Sequence, residues 1–365
     1  MNEQEAYVAF NLTEQIGSVT VAKLAAAAGS VVAAWEAYPK KVSRVGGEVD
    51  FRAEFAKAKR YGVEILTPAD AAYPARLKEV PGHPLALYVK GDVAALSKPA
   101  VSIVGTRRAT PYGKDQAYRF GKELAERGWM ILSGLATGID GEAHKGALAA
   151  GGLTVGVLGS ALDEFYPEEN RELAREIVKA GGAVVSEFPF GRPPDKETFP
   201  QRNRIVAALA AGVLAVECPV KSGTLITTSL AADMGRVVMA IPGRVDSRSS
   251  AGCLSLLRDG ARLVRSPADV EEELSELFPQ STRAVKNAGT VPDESAEKIP
   301  VPTPKFSLEE SMVMRYVDNE GISIDRLVAL TGLPVGKVNA ITMALRLKGR
   351  ARFLPGNRVA LPRDA

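Results

Sequence analysis

The chain has 365 residues, 46% of them hydrophobic, which is enough for two or three domains with at least one large core. Forty-six Lys and Arg against 43 Asp and Glu leave a net charge of +3, so charge has to be read locally; two cysteines and two histidines exclude a disulfide framework and leave little material for a zinc site or a Ser-His-Asp triad. The start, MNEQEAYVAF, is not a secretory leader, and no stretch approaches the ~20 apolar residues that span a bilayer, so a cytoplasmic protein without membrane contact is expected.

Residues 3–61 read as helices, with Ala-rich periodic runs such as VAKLAAAAG and FRAEFAKAKRYG broken by Gly17, Gly29, Pro39 and the Gly46-Gly47 pair. This predicts a small helical unit over residues 1–75. The stretch from Val63 to Pro99 carries four prolines before Leu85 and then LALYV, a short strand. From Ala100 to about Leu274, six apolar runs (VSIV, MIL, TVGVL, AVV, VLAV and VVMAI) alternate with helical segments. Strands covered by helices on both faces need unbroken apolar residues, and these runs comply. The prediction for residues 76–275 is therefore α/β, a Rossmann-like doubly wound parallel sheet. Residues 276–305 are rich in Pro, Ser, Lys and Glu and cannot bury enough surface to fold, which predicts a disordered linker. Residues 306–365 show a helix, a second helix capped by Ser323, the turn TGLP, a third helix and two β-like runs around Pro355-Gly356-Asn357, the pattern of a winged helix.

In doubly wound sheets, ligands bind at the carboxyl ends of the strands. The loops there read GTRRATPYG, SGLATGIDGEAH, GSALDEFYP, SEFPFGRPPDKETFPQRNR, ECPVKSGT and PGR. Glycine beside Ser, Thr or a basic side chain lets backbone N–H groups approach an anion at a helix N-terminus, so phosphate is the expected ligand. The Gly105 loop is not G-x-G-x-x-G, and Lys221-Ser222-Gly223-Thr224 has the letters of a P-loop in the wrong order. Neither a dinucleotide cofactor, nor nucleotide hydrolysis, nor a metal is predicted.

In FPQRNR, Phe199, Arg202 and Arg204 place a ring and two guanidinium groups at a helix start, suited to stacking a base while gripping its flanking phosphates. The alternative is a core ring, with the arginines paired to nearby acids. Arg107, Lys196 and Lys221 add positive charge to the same edge, while Ser222, Gly223 and Thr224 bind an anion, cap the following helix, or do both. His144, Cys218 and Cys253 read as buried side chains without a catalytic role. From Pro334 to Arg363 the chain holds seven basic residues and no acid; Lys337, Arg346, Lys348, Arg350 and Arg352 form a second candidate surface, for duplex DNA or for a protein.

The segments SIVGTRRATPYG, SGLATGIDGEAHKGAL, GVLGSALDEFYPEEN, SEFPFGRPP, FPQRNRIVAAL, SGTLITTSLAADMGR and AIPGRVDSRSSAGCLSLLRDGA run in order from Ala100 to about Val264. Together they resemble the DNA-processing protein A family, DprA, also called Smf. The resemblance implies an extended Rossmann-like centre flanked by a SAM-like helical N-terminal domain and a C-terminal winged helix. It also implies a non-enzymatic, cofactor-free protein that binds single-stranded DNA, protects incoming DNA during natural transformation and helps load the RecA recombinase, working as a homodimer. On these motifs the DNA contacts fall to Arg107, Lys196, Phe199, Arg202 and Arg204, with Ser222, Gly223 and Thr224 close to a phosphate.

Two other readings stand beside this one. The central domain also looks similar in fold to nucleoside monophosphate phosphoribohydrolases, whose signature is P-G-G-x-G-T-x-x-E. Here the corresponding stretch runs from Val220 to Thr227, and Thr227 replaces the catalytic Glu, so the chemical half of that site is missing. A third reading makes the chain an adaptor whose winged helix recruits a protein.

Overall fold

The computed structural model describes residues 1–38, 42–275, 308–348, 350–354 and 358–362. They belong to two compact units, Met1–Thr290 and Val291–Ala365. The linker expected over residues 276–305 lies outside the described residues.

The first unit is built on one nine-stranded sheet. Its strands are β1 (Glu64–Leu66), β2 (Leu87–Gly91), β3 (Ala100–Val104), β4 (Met130–Ser133), β5 (Thr154–Val157), β6 (Ala183–Ser186), β7 (Gly212–Ala215), β8 (Val237–Ala240) and β9 (Arg262–Leu263). They lie side by side in the order β1-β2-β6-β5-β4-β3-β7-β8-β9. Every neighbouring pair from β6 to β9 is parallel, whereas β2 runs antiparallel to both β1 and β6. All residues of β3 to β7 are buried, which accounts for their unbroken apolar runs.

The helices are α1 (Glu3–Leu12), α2 (Ser18–Ala28), α3 (Val31–Ala37), α4 (Phe51–Tyr61), α5 (Ala75–Lys78), α6 (Pro111–Glu126), α7 (Ile139–Ala149), α8 (Arg171–Lys179), α9 (Thr198–Leu209), α10 (Gly223–Asp233), α11 (Ala251–Arg258) and α12 (Pro267–Leu274). Phe120 and Leu124 of α6 and Ala143 and Ala147 of α7 pack on one face of the sheet. Ile205 and Leu209 of α9 and Ala231 of α10 pack on the other. Chain order runs outward from β3 in both directions, so the strand order reverses between β3 and β7. The helices that follow these two strands leave on opposite faces, which opens a crevice at their carboxyl ends. The doubly wound sheet expected from the sequence is present.

The N-terminal helices share their core with the sheet. Helix α1 is buried on two sides: Phe10 meets Trp35 edge-on at 5.1 Å, while Val8 and Leu12 join Tyr88 of β2 and Phe190. Residues 64–66, which the sequence groups with the helical unit, are a strand of the sheet. Three residues are too few to show a period, and their partners in β2, Val89, Tyr88 and Leu87, lie more than 20 residues further on.

In the second unit, helices Leu308–Met314, Ile324–Thr331 and Val335–Leu347 accompany a three-stranded sheet of Ile322–Ser323, Arg352–Leu354 and Arg358–Ala360. Val313, Leu327, Val338, Leu345 and Val359 form its core. Ser323 caps the second helix by accepting from the Arg326 N–H at 3.3 Å, and Gly332, at φ +68°, turns the chain towards the third. This is the expected winged helix.

Candidate nucleic-acid interface

The crevice is made by loops that interlock through their backbones. The Thr106 N–H donates to the Glu217 carbonyl at 2.7 Å, and the Ile139 N–H donates to the Thr106 carbonyl at 3.3 Å. This spacing leaves no room for side chains at two positions. A Cβ on Gly105 would lie 2.4 Å from the Ile139 side chain, and one on Gly138, at φ +80°, would lie 2.4 Å from the Thr106 carbonyl oxygen.

Beneath them the Glu217 carboxylate, 2% exposed, accepts from the Thr110 N–H at 2.9 Å, the Thr110 hydroxyl at 2.7 Å and the Ser249 hydroxyl at 3.1 Å. One buried acid therefore ties together the loops after β3, β7 and β8. Sequence patterns do not single it out, because an acid after a strand resembles any loop carboxylate. Glu217→Ala would leave these half-buried donors without their acceptor, and we expect a loss of about 1–3 kcal/mol in urea unfolding, together with weaker ligand binding. Unchanged stability would show that the loops hold without it.

These loops enclose a cavity of about 400 Å³ at the switch point. Arg107, Arg108, Phe199, Lys221 and the Ser222–Thr224 start of α10 line it. The Arg107 guanidinium lies 4.6 Å from the centre of the Phe199 ring, a cation–π contact. The ring backs onto Gly159, where a Cβ would come within 2.7 Å of it, and lies 5.9 Å from the Tyr166 ring. A smaller cavity of about 140 Å³ shares Arg107, Gly134, Phe199 and Arg202, so the Arg107–Phe199 pair stands between two pockets along the strand ends. At the other wall, Ser222 accepts from the Thr224 N–H at 3.2 Å, and the space beside the Gly223 Cα is open. Capping and anion binding are thus compatible at this helix end.

Arg202 lines the cavity but does not offer its charge freely. It is 5% exposed and donates to the carbonyls of Gly134 and Val157, and at 3.1 Å to Asn203 Oδ1. Asp140 stands nearby, accepting from the Gly134 N–H at 3.0 Å. Burial pulls the Arg202 pKa down to about 10 against the opposing field of Asp140. Burial likewise raises the Asp140 carboxyl, against the pull of Arg202. In this structure Arg202 braces the ends of β4 and β5 instead of standing free for a phosphate.

Arg204 points elsewhere. Two residues along a helix turn the side chain by about 200°, so Arg204 faces away from the cavity, pairs with Glu187 and lines a separate cavity of about 670 Å³. Lys196 is exposed on the loop before α9, outside the set of residues lining the main cavity. The fold thus gathers Arg107, Phe199, Lys221, Ser222, Gly223 and Thr224 and leaves Lys196 and Arg204 apart. His144 is buried, with Nδ1 2.7 Å from the Thr154 hydroxyl, and burial pushes its pKa down to about 3. Cys218 and Cys253 are buried with their sulfurs 3.8 Å apart.

In the second unit, the basic run is partly met by acids from an earlier helix. Lys337 pairs with Glu309, and Lys348 pairs with Glu310 at 2.6 Å. Arg346 lies over the Phe353 ring at 5.4 Å, and Arg352 donates to the Leu361 carbonyl at 2.9 Å. Arg350 is exposed. Counting charge along the chain misses these pairs because Glu309 and Glu310 precede the run by more than 20 residues. Among the described residues there is no group of three His, Cys, Asp or Glu suited to a metal ion, and no single helix is long and apolar enough to cross a membrane.

The chain matches a family model described as DNA recombination-mediator protein A over residues 64–275 and one described as DprA winged helix domain over residues 297–357. The first of these spans β1 to the end of α12. Protein Smf of Synechocystis sp. is 31% identical, over 98% of each chain. The structure of DNA processing protein A from Streptococcus pneumoniae superimposes with a TM-score of 0.61 at 31% identity, covering 75% of this chain and 98% of the other. The structure of DNA processing protein A from Helicobacter pylori, which concerns its single-stranded DNA binding mode, gives a TM-score of 0.51 at 31% identity and covers 60% and 96% of the two chains.

Proposed function

As this chain belongs to the DNA recombination-mediator protein A family, we propose that its strand-end groove holds single-stranded DNA and that the protein acts by binding rather than by catalysis, handling DNA for recombination during natural transformation. The observation that carries this is the Arg107–Phe199 pair at the mouth of the main cavity, opposite the start of α10. A guanidinium on a ring offers a flat cationic surface to an unpaired base and charge to its phosphate, while Lys221 and the α10 amides face the next phosphate. A base held in a duplex has no free face for such a surface, so preference for single strands follows. The same proposal includes a homodimer that delivers the strand to RecA, as in the family that the motifs resemble.

The hydrolase reading finds little support. Asp140 is the sole carboxylate among the described residues lining the main cavity; it accepts from the Gly134 N–H and lies in the field of Arg202. Thr227 is buried, and its hydroxyl donates to the Gly223 carbonyl at 3.3 Å. Incubation with nucleoside monophosphates is expected to release no free base.

Fluorescence anisotropy with an oligo-dT and a duplex of equal length tests the binding reading. The expected result is tighter binding of the single strand, with affinity falling as salt rises. Equal binding of the duplex by protein lacking the winged helix would overturn it.

A further inference from the structure

A second concave surface lies away from the strand-end groove, between α8 and the C-terminal end of α4, over β6. It encloses about 570 Å³. Its floor and walls are apolar, formed by Tyr61, Leu162, Phe165, Val178, Val184 and Phe190, with the Tyr61 and Phe190 rings 5.3 Å apart. Four cations stand around it, Lys90, Arg171, Arg175 and Lys179, and no Asp or Glu lines it. Three of the four follow one stripe of α8, because residues four apart lie above one another on a helix. The groove therefore has a cationic edge running along an apolar slot.

The existing partners of these cations are easily exchanged. Arg171 pairs with Glu168 at 2.6 Å and Arg175 with Glu172 at 2.7 Å, each three residues away on the exposed surface. Such pairs contribute little in water, and a docked carboxylate can take the place of either acid. We propose that this groove docks an acidic peptide segment of a partner protein, with a large apolar side chain in the slot and flanking carboxylates on Arg171, Arg175 and Lys179. Charge complementarity selects that occupant: the four cations outnumber the two acids, Glu168 and Glu172, that pair with them on the outer surface, so a chain bearing several carboxylates is their natural counterpart. A nucleobase fits less well, because the apolar walls, three aromatic rings among them, leave the donors and acceptors on its edge without partners once buried.

The test is anisotropy with the full-length protein and a fluorescein-labelled hexapeptide, Asp-Glu-Asp-Leu-Glu-Phe. Saturable binding is expected, falling at least about tenfold in protein carrying Arg175→Glu and Lys179→Glu, whose oligo-dT affinity and circular dichroism stay unchanged. A peptide with Leu and Phe replaced by Ser should lose binding even though its charge is the same. Any of four outcomes would overturn the proposal: no saturable binding, no effect of the charge reversal, equal binding of the Ser peptide, or displacement of the peptide by oligo-dT. If sedimentation showed a second copy of the chain competing for the groove, that too would count against it. These readouts do not depend on the strand-end groove, so each reading stands or fails separately.

Discussion

Arg202→Met is expected to lower the stability of the sheet unit by about 3–5 kcal/mol, because it removes a buried cation that satisfies two carbonyls and leaves the buried Asp140 charge without its compensating field. The guanidinium closes the Gly134 and Val157 carbonyls and offsets the Asp140 charge, and methionine does neither. Urea unfolding should show an earlier midpoint with little change in slope. The deficit should also depend on pH. A carboxyl whose folded pKa lies above its unfolded value binds its proton more tightly when folded. Its contribution is therefore most favourable below the unfolded value and is lost as pH rises through the folded one. Asp140 is already raised by burial, and without Arg202 it rises further, so the variant should recover part of its lost stability as pH is lowered towards that range. A variant that unfolds like the parent but binds oligo-dT more weakly would restore Arg202 to the role of a phosphate contact.

Arg107→Ala and Phe199→Ala should each weaken binding of a single strand, and their effects should not add. Loss of an aromatic stacking platform typically costs ~1–3 kcal/mol per base, and loss of one phosphate contact lowers the salt slope by roughly 0.7. The guanidinium covers the ring at 4.6 Å. An incoming base therefore either stacks on the guanidinium or displaces it from the ring, and in both cases the two side chains act on the same base. Residues in contact show interaction energies of about 0.5–3 kcal/mol in a double-mutant cycle. Titrations at two salt concentrations should give a double variant weaker than either single variant by less than their sum. Strict additivity would place the two side chains on different nucleotides.

Much of the scaffold was legible in advance because its signals are local. Six apolar runs too short for helices, separated by helical segments, imply parallel strands with helices on both faces, and β3 to β8 lie on those runs. The glycine-rich loops were legible for the same reason: backbones this closely packed exclude a Cβ, and only glycine lacks one. Less accessible was the direction in which each basic side chain points. Arg202 and Arg204 stand two apart in one motif, yet one is buried against carbonyls while the other pairs with Glu187 across the helix. Glu217 escaped notice altogether, since its importance lies in donors supplied by residues 107 and 32 positions away.

Composition, run length and motif order by themselves determined the doubly wound sheet, the winged helix and the strand-end position of the candidate loops, because each follows from the spacing of neighbours along the chain. Only the tertiary structure decided which cations face the cavity, which serve as braces and which charges of the winged helix are already paired. Those outcomes depend on the partner that a long, flexible side chain meets across space, and on whether burial makes satisfying a carbonyl or a carboxylate more favourable than leaving the guanidinium in water.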